Sequence, residues 1–595
     1  MADISRSSVD RREIDRGEVA RREVDRRGFI RLTGGAALGA SLVGVGGEAV
    51  AAASGVKVAG DPRFNGIPRS WVLSLPRKPF EAPLPPLPDQ LAGGVVSPPS
   101  RRLPQRLGAP DLKTVRTNPP TTLPFEFNVG GYRAVADLPE AMRPWRDRPT
   151  TWANVTPDTE NTYLDSEGVI LFRPSRSEPG YNQPVTQIQF GLGCITSYRT
   201  ETDPARKALF LTRAKAQAKR LIDTRVETRG AWYFPYPFDY THDVHTGISY
   251  KAPWFSGMAQ GEALSLFIQL SQLDGVTAEE KTLYRAAADA AFASLLLADD
   301  ATPWVINRNS AGYLWIQEYP GAEPGTGDYT YNGMIFAMFG LWDYIQETGN
   351  ELAVQLYDGA CTTIDRYFPL LRNQRWASYY CQTHRIPAIT YHQHHINLFR
   401  QLHWQTGNPR FAHMTDVLTD DFPAGVLPAG SAIAFAAGTH TLYQFGTQAD
   451  GDYDKKQEDV ELARQTVTFT RATQAPANRR RRILGRGIYY RIDAGAYAGW
   501  WVGEYYPNVF LLGEYLPTVY HPDRTLTFPA GTEVTCYKFG TDGAVGSTRT
   551  VTFANPSNAP FDRRSVVNGR PMCRIAAGGL AGYWVWAGDV LTDGR

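Results

Sequence analysis

Cysteine and methionine are scarce in this chain of 595 residues, which contains five Cys and seven Met. The cysteines show no CxxC spacing and no histidine at a metal-ligand spacing. Zinc sites and disulfide frameworks depend on such spacings, so we predict no metal and no disulfide scaffold. Whether Cys536 and Cys573 form one disulfide bond is left open, because sequence spacing alone does not decide it. The five cysteines are Cys194, Cys361, Cys381, Cys536 and Cys573.

The chain also lacks a large excess of one charge sign. It has 62 Lys and Arg against 60 Asp and Glu, which gives a formal net charge of +2. Duplex nucleic acid is bound through clustered basic faces, so we do not expect a nucleic-acid partner. A polyanion could still meet a local basic groove. The basic run Arg479 to Arg482 predicts a solvated loop, with contact to an acidic glycan as the alternative.

The N-terminal segment lacks the roughly 20 strongly apolar residues that a membrane span requires. Asp25 to Arg31 resembles a twin-arginine motif, and a Gly- and Ala-rich run follows from Leu32 to Val45. Ala49 to Ala51 supplies the small residues of a cleavage site. We therefore predict a signal peptide over residues 1–53, export by the twin-arginine route to the cell envelope or the medium, and no stable membrane span after cleavage.

The composition of the remaining chain changes along its length. Residues 54–120 are Pro-rich and predict a linker, and the short mixed runs of residues 121–200 predict a small strand-containing region. Residues 201–420 contain at least six helical patterns. Helices joined by Gly- and aromatic-bearing loops suggest αα-hairpins that close into an (α/α) toroid with a cleft at one end. The helical windows are residues 203–223, 257–273, 277–298, 331–347, 352–371 and 393–404.

From about residue 421 the chain repeats itself. Thr466 to Phe469 recurs as Thr550 to Phe553, and Ala498 to Val502 recurs in altered form as Ala581 to Val585. We predict two copies of a small all-β module. The predicted fold class is thus multidomain α+β, with a toroid preceded by a small β region and followed by two all-β repeats.

The two β repeats are assigned to residues 421–502 and 503–595. Each contains an aromatic pair, Trp500-Trp501 in the first and Tyr583-Trp584 in the second. These pairs could bind glycan or cell wall, or they could fill the core of a small module.

Three segments of the helical region contain residues suited to chemistry. The first reads WFSGMAQG at residues 254–261, and the second reads WIQEYP at residues 315–320, with NG and GLWD further on. The third reads YHQHHI at residues 391–396 and follows the pair Tyr379-Tyr380. In this order they resemble the C-terminal domain of the D-glucuronyl C5-epimerases, which has W-x-S-x-M-A-Q-G, then E-Y-P, N-G and G-L-x-D, and later Y-H-x-x-H-I. The resemblance covers about residues 168–420.

The resemblance implies an enzyme that inverts C5 of D-glucuronate residues in a polysaccharide without a cofactor. This reaction removes a weakly acidic proton next to a carboxylate and returns one to the opposite face, so it needs two proton-transfer groups and a donor or cation for the carboxylate. Tyrosine is suitable if a cationic neighbour lowers its pKa from about 10. By motif match, the resemblance assigns the proton transfer to Tyr319 and Tyr391, with Tyr380 assisting.

The chain departs from the family at its Y-D-L-R-H motif, whose Asp and Arg correspond to Cys381 and Thr383. The carboxylate-binding Arg is therefore absent from its place, and Arg385 is the substitute that we expect. His392, His394 and His395 lack an evident further ligand, which argues against a metal. The further substrate-binding candidates are Glu318, Asn332, His392, His395, Trp254 and Gln260.

Two rival functions stay open. A polysaccharide lyase on the same toroid would share the first step, removal of the C5 proton, and then expel the C4 oxygen. A non-catalytic glycan-binding envelope protein would keep the toroid without turnover. The expected partner is in each case a uronic acid-containing polysaccharide, and the chain could pair as a homodimer.

Overall fold

The computed structural model describes residues 118–144, 163–173, 179–242, 249–446 and 460–594, apart from residues 322, 324, 484, 541 and 542. The predicted signal peptide and nearly all of the predicted linker lie outside these residues. The chain forms two compact units. The first unit contains the described residues before 130 and from 163 to 360, and the second contains residues 130–143 and those from 361 onward.

Helices dominate the first unit. The central helix, Gly257–Ser271 (α3), is buried on every side. It packs against three other helices: Pro184–Thr200 (α1), Ala278–Ala293 (α4) and Tyr331–Thr348 (α5). Gly261 in α3 and Gly340 in α5 allow the two backbones to meet, because a Cβ on Gly340 would lie 1.7 Å from the carbonyl oxygen of Gly261. The helices are α1 Pro184–Thr200, α2 Pro204–Thr224, α3 Gly257–Ser271, α4 Ala278–Ala293, α5 Tyr331–Thr348 and α6 Glu351–Leu371, the last of which continues into the second unit.

The six predicted helical windows are confirmed, and two helices, Pro184–Thr200 and Pro409–Asp421, were missed. Thr277 caps α4 through a capping box with Glu280, as its position before the helical run predicts. Helix α1, by contrast, lies in residues 121–200, for which we predicted a small strand-containing region. Its sequence alternates β-branched and polar residues, but Pro184 at its first turn and the capping side chain of Gln183 start a helix there.

Three short antiparallel hairpins complete the first unit. Between residues 163 and 181 the described chain forms isolated antiparallel bridges, which pair Leu164 with Ile170 and Phe172 with Tyr181. The strands are β1 Val226–Thr228 with β2 Ala231–Tyr233, β3 Tyr240–Thr241 with β4 Ser249–Tyr250, and β5 Ile306–Arg308 with β6 Leu314–Ile316.

The second unit contains two further helices, α7 Ile389–Thr406 and α8 Pro409–Asp421, which pack on each other. Gly407 ends α7 with a φ of 65°, a left-handed conformation that glycine adopts without strain. The described residues thus form a mixed fold with eight α-helices and two seven-stranded sheets. No helix among the described residues is both long and apolar enough to cross a bilayer.

The two sheets have the same topology. The first has the order β13-β7-β10-β11-β12-β8-β9, and the second has β20-β14-β17-β18-β19-β15-β16, so each strand has a counterpart. The first strands are β7 Ala432–Phe435, β8 Gly438–Phe445, β9 Glu461–Phe469, β10 Thr473–Ile483, β11 Gly487–Ile492, β12 Trp501–Gly503 and β13 Val509–Leu511, the last of which lies beyond the boundary expected at residue 502. The second strands are β14 Glu514–Phe528, β15 Thr532–Phe539, β16 Val545–Phe553, β17 Ser557–Val567, β18 Arg570–Ile575, β19 Trp584–Trp586 and β20 Leu591–Thr592.

The basic run of the first sheet is not a solvated loop, so that prediction was wrong. Arg479 to Arg482 lie in strand β10, where successive side chains face opposite sides. Arg480 and Arg482 are therefore buried, and they donate hydrogen bonds to the carbonyl oxygens of Ala424 and Asp420.

The cysteines of the second sheet do not pair. Cys536 and Cys573 both lie beside Val585, one on each side of strand β19. Their backbones are thus about 10 Å apart, twice the spacing of neighbouring strands, which is too far for a disulfide. All five cysteines are free and buried.

The aromatic pairs of the sheets contribute to apolar cores. Trp584 is buried in a cluster that contains residues of both sheets, including Phe510 and Tyr537. Trp500 and Tyr583 are half-buried against the cores of their own sheets.

Helix α8 is joined to the second sheet by buried ion pairs. Arg524 is fully buried and lies 2.8 Å from the carboxylate of Asp416, which also accepts a hydrogen bond of 2.6 Å from the Tyr520 hydroxyl. Arg564 donates to both oxygens of Asp420. Such pairs are strongly destabilising to break, since one charge is then left buried alone. The position of α8 is thus tied to the sheet.

Candidate functional site

Tyr319 of the first unit lies in a cluster of aromatic rings, which we call the Tyr319 cluster: Tyr240, His242, Tyr250, Trp254 and Tyr319. The Tyr319 ring is stacked with Tyr240 at 6.2 Å and Trp254 at 6.1 Å, and the His242 ring meets it edge-on at 4.6 Å. Tyr319 is half-buried, whereas Trp254 is only 7% exposed. The rings therefore hold Tyr319 by packing while part of its side chain stays accessible.

The backbone around Tyr319 is held by the neighbouring Gln317. Its carbonyl oxygen accepts a bond of 2.7 Å from the Gly257 N–H at the start of α3. Its side-chain oxygen accepts 3.1 Å from the Tyr329 N–H, and its amide nitrogen donates to Asn307. The Tyr329 end of the loop is thus fixed to the buried side chain of Gln317, and the Gln317 backbone fixes the start of the loop to α3.

Glu318 lies against the first turn of α5. Asn332 donates to its carboxylate at 3.4 Å, and a Cβ on Gly333 would lie 2.3 Å from the same oxygen atom. The N-terminal end of a helix stabilises negative charge. The negative charge of Glu318 also contributes, after burial, to raising the pKa of Tyr236. The two predicted candidates Glu318 and Asn332 therefore form one buried polar group.

Two further candidates of the first unit have structural bonds. Gln260 is fully buried; its amide nitrogen donates to the Trp232 carbonyl oxygen and to Ser294, and its oxygen accepts from the Phe234 N–H. Trp254 donates 3.0 Å to the Phe238 carbonyl oxygen and stacks on Tyr236 at 3.8 Å. Gln260 therefore fastens α3 to the preceding strand instead of offering its amide to a substrate, and Trp254 serves as support for Tyr319.

In the second unit the structure brings Tyr380 and Tyr391 together, with ring centroids 4.6 Å apart at an angle of 62°. Tyr380 belongs to residues 378–388, the Tyr380 hairpin, in which the Tyr380 N–H donates to the Ile386 carbonyl oxygen and Tyr379 bridges Pro387. Tyr391 lies in the first turn of α7. Tyr380 is 1% exposed and Tyr391 is half-buried, so Tyr391 has the more accessible ring.

One serine and two histidines fasten the hairpin to the helix; we call Ser378, His392 and His395 the Ser378 network. The Ser378 N–H donates 2.9 Å to His392 Nδ1, and the Ser378 hydroxyl lies 2.7 Å from His395 Nδ1. His392 Nε2 lies 2.9 Å from the Leu418 carbonyl oxygen, an acceptor, so the ring proton is on Nε2. The network therefore joins the Tyr380 hairpin, α7 and α8.

Both histidines of the network are neutral. Burial lowers the pKa of His392 to about 4 and the pKa of His395 well below its usual value of 6.5. Neither side chain has exposed surface, and both nitrogens of His392 are occupied. His392 therefore acts as a structural anchor and not as the substrate-binding group that we expected, and neither ring supplies a cation.

Arg385, the expected substitute for the missing motif Arg, ends the turn of the hairpin with a φ of 51°. Its guanidinium is exposed and lies 4.8 Å from the centre of the Tyr379 ring. In the same turn Cys381 Sγ lies 3.4 Å from His384 Nδ1. Among the described residues, no group of three or more His, Cys, Asp and Glu side chains could hold a metal ion.

Several site residues were missed from the sequence. Ser378 directly precedes the tyrosine pair, and its hydroxyl could have been noticed only if the two histidines were known to converge on it. Tyr240 and Tyr250 pair across a short hairpin, and His242 directly follows its first strand. A dense run of aromatic residues between 232 and 254 was the available signal.

The sequence model of the D-glucuronyl C5-epimerase C-terminus family matches residues 227–419, a range that contains both tyrosine sites. This match supports the family predicted from the ordered motifs. It also supports a carbohydrate-modifying function.

Among solved structures, the chain is similar to an unsaturated glucuronyl hydrolase from Streptococcus agalactiae, with 11% sequence identity and a TM-score of 0.27. The match covers 41% of this chain and 59% of that chain. A similarity this weak carries no argument about mechanism.

Proposed function

We propose that the protein is an epimerase that inverts C5 of D-glucuronate residues within a polysaccharide, with Tyr391 and Tyr319 as the proton-transfer groups and Tyr380 assisting. The observation that carries this proposal is the ring contact between Tyr380 and Tyr391, both of which motif matching had selected independently. The family match over residues 227–419 supports the same chemistry.

The reaction moves one proton off C5 and another on to it from the opposite face. The electron pair of the C–H bond passes into the adjacent carboxylate, which becomes an enediolate, and then returns to carbon on reprotonation. A tyrosinate accepts the first proton and a tyrosine donates the second, so the atoms and charges balance without a cofactor. A phenolate needs positive charge nearby, because an ordinary tyrosine has a pKa near 10.

The two tyrosine sites have surroundings that suit these roles. Tyr319 is ordered by ring packing and has the edge of His242 at 4.6 Å. Tyr391 is ordered by its contact with Tyr380 and by the position of α7 on the Ser378 network. We extend the proposal to the fold: the helices of residues 201–420 would form an (α/α) toroid.

The same proposal includes the location of the protein, its substrate and its assembly. The protein would be exported by the twin-arginine route, act in the envelope or the medium on a uronic acid-containing polysaccharide, and could work as a homodimer. The half-buried aromatics Trp500 and Tyr583 of the sheets would contribute glycan or cell-wall contacts.

The test is incubation of the protein with glucuronate-containing polymers in deuterated water. An epimerase incorporates deuterium at C5 while the polymer length stays constant. A lyase instead shortens the chains and produces an unsaturated end that absorbs ultraviolet light. Binding of a polymer without any exchange would identify a glycan-binding protein and overturn the proposed activity.

A further inference from the structure

The turn of the Tyr380 hairpin contains a cysteine and a histidine in contact. Cys381 Sγ accepts a hydrogen bond of 3.2 Å from the backbone N–H of His384 and lies 3.4 Å from Nδ1 of the same residue. A bond of 3.2 Å from the Arg385 N–H to the Cys381 carbonyl oxygen closes the turn. The sulfur is fully buried, and the His384 side chain is half-buried. Two nitrogens therefore converge on one sulfur atom.

This geometry favours negative charge on the sulfur. The backbone N–H of His384 donates to the sulfur, which is a stronger acceptor as a thiolate than as a neutral thiol. Hydrogen bonds to the charged form favour that form, and an adjacent imidazole can take the thiol proton. Burial acts against the charged form, since it raises the pKa of Cys536 to about 11 and of Cys573 to about 12. At Cys381, which is equally buried, the two nitrogens oppose this effect.

We propose that Cys381 and His384 form a thiolate–imidazolium pair that supplies positive charge in the turn of the Tyr380 hairpin. In forming it, the S–H bond breaks, an N–H bond forms at His384 Nδ1, and the net charge of the turn does not change. His384 Nε2 also carries a proton in this state, so the ring is a charged donor. The role of the pair in proton transfer rests on the proposed function, whereas its existence does not.

Other titratable groups of this part of the molecule do not take over that role. On the hairpin, Arg385 lies over the Tyr379 ring and is exposed. On helix α7, Tyr391 and His394 lie near each other, with ring centroids 6.0 Å apart, and the buried His392 is neutral at pH 7. The turn thus positions two groups differently: Arg385 over the Tyr379 ring, and the imidazolium of His384 at the Cys381 sulfur. Cys381 acts through the imidazolium and is a positioning residue.

The pair is tested first by the ultraviolet absorbance of the thiolate in the folded, full-length protein at neutral pH. We expect one thiolate equivalent, lost in Cys381→Ser and in His384→Gln and unchanged in Cys194→Ser, a matched control because burial raises the pKa of that thiol. An absorbance at pH 7 that Cys381→Ser leaves unchanged would overturn the pair. So would a band that survives in His384→Gln, since the backbone donor alone would then hold the charge.

The role is tested by deuterium exchange at C5 with the same variants. Cys381→Ser and His384→Gln should lower the exchange rate by about tenfold or more, the usual effect of losing a hydrogen bond to a charged group. Cys381→Asp keeps a negative group beside His384 and should restore most of the rate. Exchange at the wild-type rate in Cys381→Ser would overturn the role. If the wild type shows the thiolate but exchanges with no polymer, the proposed function fails and the pair stands.

Discussion

The two tyrosine sites are positioned by different forces. The Tyr319 cluster is held by stacked and edge-on rings, whereas Tyr380 and Tyr391 are held by hydrogen bonds that converge on Ser378. Ring packing tolerates small shifts, because its hydrophobic contribution is non-directional and roughly proportional to the buried apolar area. A buried polar network loses most of its benefit when one member is removed, since the remaining groups are left without partners. The second site should therefore be the more sensitive to conservative substitution.

The largest effects on activity are expected when a single tyrosine hydroxyl group is removed from either site. We expect Tyr391→Phe and Tyr319→Phe each to reduce C5 deuterium exchange by about a hundredfold or more, because each loses a proton-transfer group. Tyr379→Phe is the matched control, as this neighbour of Tyr380 has its ring under Arg385 and should keep nearly full rate. A large effect for Tyr391 with none for Tyr319 would confine the chemistry to the second unit.

The second site also depends on charges far from it. Asp416→Ala removes a partner of the fully buried Arg524 and should lower the free energy of unfolding by about 3–5 kcal/mol, measured by urea denaturation. Asp223→Ala breaks an exposed ion pair with Lys219 on α2 and should change stability little. Equal effects of the two substitutions would show that α8 is not tied to the sheet as described.

The buried histidines of the Ser378 network should make the stability of the protein depend on pH. Burial lowers the pKa of His392 to about 4 in the folded protein, against about 6.5 in an unfolded chain, so the unfolded state binds more protons between these values. Stability is then complete above pH 6.5 and falls as the pH drops toward 4, by up to about 3 kcal/mol for this group. Urea denaturation at pH 7 and pH 4.5 measures the fall. A His392 ring that titrates near 6.5 by NMR would contradict it.

The smallest expected effect is that of one hydroxyl group in the network. Ser378→Ala removes the hydroxyl between two buried histidines and should cost about 1–3 kcal/mol of unfolding free energy. Ser271→Ala in the first unit loses one bond to the Ile268 carbonyl oxygen and should cost about 1 kcal/mol. A larger loss for Ser271 than for Ser378 would reverse the comparison between the two sites.

Much of the fold could be predicted because local signals agreed with the final structure. The Thr277 capping box, the six helical windows and the repeated β segments each reflect short-range geometry. Helix α1 was missed because tertiary burial overrides the strand preference of its β-branched residues.

The candidate site was predictable in its tyrosines and not in their surroundings. Tyr380 and Tyr391 were selected by motif and are in contact. Gln260 and His392 were selected in the same way, yet their polar atoms bond to groups of the domain itself. A motif records which residue types occur in order, and it does not say whether a side chain faces a substrate or a neighbouring strand.

The amino-acid sequence alone determined the family, the helical pattern and the β repeat, because these depend on residue order and local periodicity. Tertiary structure alone decided the charge of the buried groups: it made His392 neutral, buried Arg480 and Arg482 against carbonyl oxygens, and brought His384 to Cys381. The reason is that burial and hydrogen-bond partners, which set the protonation of a group, come from residues distant in the chain or from the exact path of a turn.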